Sequence, residues 1–482
     1  MRRWVKYCAA LWCGCAASGL SESPPPTAPL VLTQTPRGAA AAKAKDQLDA
    51  QYPAGSRVVV AAASGDSPRT RVLSEGLHAA GGPVVTYDGE RVYYAGKAAE
   101  GSEWQIYESS LRGGHPRLAV SRPGGAAAPA LLPDGRLVFA SPVPKLSPPD
   151  AGVSRPQLYA CLPGGQPCQL TFGLSGASDP TVLADGRILF VSAVSLDTTG
   201  PGRALSLFTI NNDGTEITAF ACQHDPPALI RRPRQLPDGH VAFVASGLDS
   251  AVAAGSAECV RMARPFLSRA KLLPDLKSRV SAVAPDGEGG LLVCAEDSHS
   301  VWAVYRVEKN GKALGAPLLE DPKWDCAEAV VARAVQRPMG RISSMDPAKQ
   351  TGQILCLNAN DTTYGVGTQT GAAVARVRVL AEVSPGRCGS LGEVPLQEDG
   401  SFMAEVPADK PLGFEALDQQ GQVLRRVEPI IWVRPGENRS CTGCHAPHNR
   451  APRNHRPLAV YATVPCLTPQ TELSQTNQSP VR

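Results

Sequence analysis

Between about residues 55 and 325 the chain repeats one hydrophobic pattern. An Asp-Gly pair is followed by a short run of β-branched and aromatic residues, then a second apolar run and another turn. The strings are YDGERVYYAG at Asp88, PDGRLVFAS at Asp134, ADGRILFVS at Asp185, PDGHVAFVA at Asp238 and PDGEGGLLVCA at Asp286. Apolar residues two apart, such as Leu137 and Phe139 or Ile188 and Phe190, load one face of a strand. Each Asp-Gly supplies the positive-φ hairpin turn that joins two strands. The pairs recur about every 50 residues, the period of a repeat whose unit is a four-stranded blade. Five clear repeats plus SRVVVAAASG near Arg57 predict an all-β, six-bladed propeller over 51–335, with seven blades as the alternative count. Calcium or catalytic roles for the repeated Asp residues are set aside, because the turn already accounts for them.

After Cys326 the pattern changes. VARVRVLAEV alternates, with Val377, Val379 and Ala381 on one face and Arg376, Arg378 and Leu380 on the other, which predicts a half-buried strand. GEVPLQEDGSFMAEVP, FEALDQQGQVLRRVEP and IIWVRPGENRS follow as further strands between turn residues. A small β-sandwich-like domain over 341–452 is therefore expected, with 453–482 as a C-terminal tail.

That domain ends in RSCTGCHAPHNRAP, which holds Cys441-x-x-Cys444-His445. Chance would place such a string in about one in 150 chains of this composition, and the spacing is that of covalent haem c attachment. Two thiols add to the haem vinyl groups, and the adjacent imidazole of His445 ligates the iron from the same turn. One haem c is the expected cofactor. A zinc site from Cys441, Cys444, His445 and His448 is the second reading, and a plain disulfide the third. For the opposite face of the iron the candidates are His455 and Met403, with Met345 and Met339 behind them and an open position as the alternative. Arg450, Arg453 and Arg456 are candidates to neutralise haem propionates.

Haem is attached outside the cytoplasm, and the N-terminus reads accordingly. Arg2, Arg3 and Lys6 precede a short apolar stretch ending in small residues, so 1–17 reads as a signal peptide. Gly14-Cys15 resembles a lipobox end, making Cys15 a lipidation candidate, with ordinary cleavage and secretion as the alternative. Residues 18–50, rich in Pro and Ala, read as a flexible tether. The expected location is periplasmic or at the outer membrane as a lipoprotein, otherwise secreted, with the membrane reached by a lipid anchor alone. In an oxidising compartment the remaining cysteines suggest local disulfides Cys161–Cys168, Cys222–Cys259, Cys294–Cys326 and Cys356–Cys388, with Cys466 left over. A net charge of +4 among 482 residues makes no demand for a nucleic-acid partner. No Gly-x-Ser-x-Gly elbow, P-loop or His-Glu-x-x-His is present.

Two resemblances follow from these strings. The PDG-plus-strand repeats resemble the TolB-like, PD40 propellers. The run VPLQEDGSFMAEVPADKPLGFEALDQQGQVLRRVEPIIWVRPGENRSCTGCH, with SSMDPAKQTGQILCLNAN before it, resembles the middle domain of the hydrazine synthase alpha subunit and its relatives. That resemblance implies a propeller ahead of a haem-bearing β-domain, with Cys441, Cys444 and His445 as its haem residues. The family's namesake subunit carries a second haem domain further on, whereas this sequence has one C-x-x-C-H. Full hydrazine synthesis by this chain alone is therefore not expected. The leading expectation is an electron-transfer or redox-partner protein with the propeller as scaffold, met by a redox partner protein or by an envelope protein on the propeller. The alternatives are a haem oxidoreductase acting on a small nitrogenous or peroxide-like ligand, and a propeller interaction module with a structural metal centre.

Overall fold

The computed structural model describes residues 28–38, 47–62, 70–142, 155–194, 204–223, 225–226, 228–248, 254–307, 314–361, 373–384, 387–444, 451 and 454–468. The expected signal peptide and Cys15 lie outside them. Six four-stranded antiparallel sheets follow one another along the chain. Sheets 2 to 6 begin with inner strands Ala79–Val85, Ala127–Leu131, Ser178–Val182, Leu229–Gln235 and Val280–Pro285. Sheet 1 combines Leu30–Pro36, Arg57–Ala61 and Thr70–Val72 with the late strand Trp324–Val331, which takes the inner position. Each inner strand touches the next, and Trp324–Val331 touches both Val280–Pro285 and Ala79–Val85, so the arrangement is propeller-like and closes on itself. No helix among the described residues is long and apolar enough to cross a membrane.

The Asp-Gly pairs do what the sequence predicts. In all five, the Asp carboxylate accepts a hydrogen bond from the backbone N–H two residues on, at 2.7 to 3.1 Å. Leu137, Phe139, Ile188 and Phe190 are buried between sheets. A second repeat escapes sequence reading. Gly82, Ala128, Asp179 and Arg232 all have positive φ, all precede a proline, and all sit at a register shift of an inner strand. The following proline disfavours the ordinary helical conformation, and at Asp179 and Arg232 the bulge brings the side chain against neighbouring inner strands.

Two of those side chains build a buried polar network. The Arg232 guanidinium pairs with Glu328 at 2.8 Å and donates to the carbonyl of Ser281 at 2.6 Å, while its backbone N–H donates to Asp179 at 3.1 Å. Glu328 also accepts the Tyr52 hydroxyl. Burial and the neighbouring Glu328 carboxylate push the Tyr52 phenol well above its ordinary range, so it stays a donor. Asp179, Arg232, Ser281 and Glu328 belong to four different inner strands. The network therefore ties sheets 4, 5, 6 and 1 together.

Residues 332–346 then form a strap over the Asp-Gly ends of the sheets. Arg333 donates to Gly287 O at 2.7 Å, Val335 N to Tyr87 O at 2.9 Å, and Met339 N to Ala184 O at 3.0 Å. Ser343 closes the path on the Asp213 carboxylate at 2.7 Å. Beyond it lie two sheets packed on one core. The first runs in the order Arg387–Pro395, Arg376–Ser384, Leu412–Leu417, Val423–Ile431. The second runs Phe402–Pro407, Thr351–Cys356, Asn438–Cys441, the last pair parallel. Val377, Val379 and Ala381 face the shared core with Ile354, Phe402 and Val406.

Three expectations need correction. Residues 28–38 and 47–50 are no tether: Leu30–Pro36 is an interior strand of sheet 1, and its LVL run is buried on both sides. Its shortness inside a Pro- and Ala-rich stretch hid it. Residues 454–468 of the expected tail are likewise part of the second domain, since Cys466 bridges to Glu405 and Leu467 enters the core. The four local disulfides are absent among the described residues. Register opposes Cys168 to Ala160, so Cys161 points to the other face of its strand. Cys222 follows the last strand of sheet 4 whereas Cys259 lies in sheet 5, and Cys356 and Cys388 belong to the two different sheets of the second domain. Cys294 and Cys326 do share a core cluster, as buried thiols.

Glu328→Ala leaves the Arg232 guanidinium buried without its carboxylate. Stability is expected to fall by about 3–5 kcal/mol, the usual cost of stranding one partner of a buried pair, as read from denaturant unfolding midpoints.

Candidate functional site

The C-x-x-C motif hangs from a segment that locks the second domain onto the ring. Trp432 is buried, donates its indole N–H to Gly214 O at 2.9 Å and meets Phe172 edge-on at 6.2 Å. The Arg434 guanidinium donates to Gln169 O at 2.7 Å and lies over the Phe172 ring. Glu437 accepts Glu216 N at 2.9 Å with one oxygen and Arg434 N at 2.7 Å with the other. Burial pushes its carboxyl up, against the pull of those hydrogen bonds. Arg439 donates to Ile217 O. Gly436 makes the turn between these contacts: its φ is 75°, and a Cβ there would come within 2.7 Å of the Asp346 Cβ. Sequence reading took IIWVRPGENRS as one more strand and missed its docking role. The available signal was a Trp and three charged residues interrupting an apolar run.

Cys441 ends this segment as the last residue of Asn438–Cys441. It is half-buried against the domain core, and its register partner on Thr351–Cys356 is Cys356. Cys444 lies just beyond; burial pushes its thiol up, and nearby Arg425 opposes that. His445 and His448 fall outside the described residues. Arg439 has a feature that bears on a ligand: its Nε and Nη1 groups are buried with no hydrogen-bond partner among the described residues. Orphaned donors of that kind are rare and call for an acceptor.

The structure separates the candidates for the iron's other face. His455 lies at the same end of the sheet as Cys441. Its Nε2 meets Asp399 at 3.3 Å, and Asp399 leads through Ser401 into Phe402, which sits opposite Cys356. Met403 is misplaced for this role: it follows Phe402 in a strand whose side chains alternate, so it occupies the face away from Cys356 and Cys441. Met345 contacts Arg434 near the Thr351 end of that strand, the far end from Cys356. Met339 is on the strap. Of the candidate propionate partners, Arg456 stacks on Tyr461, while Arg450 and Arg453 lie outside the described residues.

Asp399 organises the His455 segment. It accepts Ser401 N at 3.0 Å, Ser401 Oγ at 2.6 Å and Leu458 N at 2.8 Å besides the imidazole. Burial works against its charge, but these bonds hold its carboxyl at about 2. A carboxyl that titrates lower when folded stabilises fully above the ordinary Asp range near 4, and the gain is lost as pH falls through its folded value. Asp399→Asn is therefore expected to lower the unfolding midpoint at pH 7, and the gap to wild type should shrink as pH drops from about 4 to about 2. Amide exchange in residues 454–468 should rise in the variant.

Comparison with known proteins agrees with this arrangement. Residues 347–446 match the family described as the hydrazine synthase alpha subunit middle domain. Hydrazine synthase from Kuenenia stuttgartiensis is similar in structure, with a TM-score of 0.78 over 90% of this chain and 72% of that one, at 17% identity. That level of identity speaks for the fold. TolB from Acinetobacter baumannii is similar over 63% of this chain and 66% of that one, with 16% identity and a TM-score of 0.43. No curated protein matches. Residues 347–446 thus match the hydrazine synthase alpha subunit middle domain, and they lie behind a propeller-like ring in a chain whose fold is similar to that of hydrazine synthase.

Proposed function

We propose that this protein is an exported mono-haem c protein with a redox role, electron transfer first, in which the ring serves as scaffold. Read as blades, the six sheets make a six-bladed propeller. The observation that carries the proposal is the pair of free thiols, Cys441 and Cys444, at the end of the segment docking the family domain onto the ring.

The residues suit haem c. Both thiols are available for thioether bonds, and the orphaned Arg439 donors two residues before Cys441 suit a propionate carboxylate. When bound, the group supplies a one-electron iron centre. Cys441 and Cys444 would hold it, and His445 would be its axial ligand. His455 would take the other face, with Asp399 fixing the ring through Nε2 and leaving Nδ1 as the acceptor. Two strong ligands keep the iron's surroundings constant between oxidation states, which favours a carrier of electrons over a catalyst. A redox partner protein is the partner this implies. An envelope protein on the propeller is the second. Lipidation at Cys15 would tether the protein to a membrane.

Expression with the haem-attachment machinery is expected to give a product that stains for haem after denaturing electrophoresis. Cys441→Ala combined with Cys444→Ala should abolish the stain, since thioether bonds alone survive unfolding. Stoichiometric zinc without a Soret band in wild type would overturn the proposal. His455→Ala should make the ferrous protein bind carbon monoxide readily where wild type resists it. Rapid binding by wild type would instead put the oxidoreductase reading, on a small nitrogenous or peroxide-like ligand, ahead of electron transfer.

A further inference from the structure

Sequence proximity suggested Cys388 as the partner of Cys356, but Cys388 lies in the other sheet, opposite Glu382. Cys356 stands directly across from Cys441 in the parallel pairing of Thr351–Cys356 with Asn438–Cys441, and Leu357 N donates to Cys441 O at 2.9 Å just past the pair. Residues in register on neighbouring strands share a face, and strands lie about 4.8 Å apart. That spacing falls inside the Cα window of about 4.4–6.8 Å that a disulfide needs. The two sulfurs also differ in access. Cys356 is 3% exposed, whereas Cys441 is half-buried at the strand's open end. Cys441 and Cys444 both add to the upward push that burial gives the Cys356 thiol, which places all three sulfurs in one neighbourhood.

We propose that Cys356 and Cys441 form a reversible disulfide in the chain without its cofactor, masking one of the two thiols that haem attachment requires. The consequence for haem rests on the function proposed above; the disulfide itself does not. Cys441, the accessible partner, exchanges first with a disulfide-bearing oxidant, either a dithiol oxidase protein or oxidised glutathione, and one thiol is released. Cys356 then attacks the Cys441 sulfur of the mixed disulfide and expels the second thiol. One S–S bond forms as one breaks, and the two protons and two electrons of the cysteine pair end on the two released thiols. A dithiol reductant reverses the exchange. Once Cys441 is a thioether, Cys356 has lost that partner and stays a thiol. Reduction of this pair then becomes a condition for loading the site.

The test uses the full chain expressed without attachment machinery, treated with oxidised glutathione and digested with trypsin without reduction. The expected product is a cross-link between peptides 350–376 and 440–450 that dithiothreitol removes. It should persist in Cys444→Ser and be lost in Cys356→Ser. A bond confined to Cys441 and Cys444, or complete alkylation of Cys356 in oxidised wild type after unfolding, overturns the proposal. The alkylation readout needs no variant, so a poorly folding Cys356→Ser does not blunt it. In cells with the machinery, Cys356→Ser should raise the haem-loaded fraction under oxidising conditions. Absence of haem in wild type produced with the attachment machinery would overturn the functional reading and leave the cross-link result standing.

Discussion

Strand Trp324–Val331 pairs with Leu30–Pro36 from Leu30↔Val331 to Pro36↔Trp324, and this antiparallel seam turns a row of six sheets into a closed ring. Its position decides where the chain leaves the ring. The strand ends beside the Asp-Gly turns, so residues 332–346 must start across that end, and the backbone groups exposed there give them successive partners at Gly287, Tyr87 and Ala184. The second domain arrives already aimed at sheets 3 and 4. The buried Arg232–Glu328 pair reinforces the seam from inside, because Glu328 belongs to the closing strand itself.

The docking segment combines two kinds of force. Trp432 and Phe172 remove a large apolar area from water, while Arg434, Glu437 and Trp432 satisfy ring carbonyls and amides that burial would otherwise leave without partners. Directional bonds fix the orientation that apolar contact alone would leave loose. Since Cys441 follows within two residues of Arg439, the precision of that docking passes directly to the thiols.

Much of this was legible in the sequence, and the reasons are local. The repeat showed because each Asp-Gly turn is made by two adjacent residues whose chemistry does not depend on distant contacts, and the strands after it are short apolar runs buried on both faces. VARVRVLAEV was readable from its own alternation. Leu30–Pro36 was not, because its identity as a strand rests on a partner at 324–331 that no local window contains. The C-x-x-C-H string was visible as a pattern, yet its neighbours were not. Cys356 reaches Cys441 through a parallel pairing across more than eighty residues, and His455 reaches Asp399 across 56. Met403 stood behind His455 as a candidate, and strand alternation puts it on the face away from Cys356.

The seam also imposes an order in time. Its two strands are separated by nearly the whole ring, and closing a loop of that length costs on the order of 5 kcal/mol in chain entropy before any contact repays it. Topologies dominated by such distant pairings fold slowly. A chain emerging N-terminus first can pair Leu30–Pro36 with Arg57–Ala61 early, but the other edge of that strand stays unpaired throughout the synthesis of sheets 2 to 6, because Trp324–Val331 is among the last parts of the ring to appear. Until then that open edge is a template for pairing with a neighbouring chain, which makes the nascent ring aggregation-exposed.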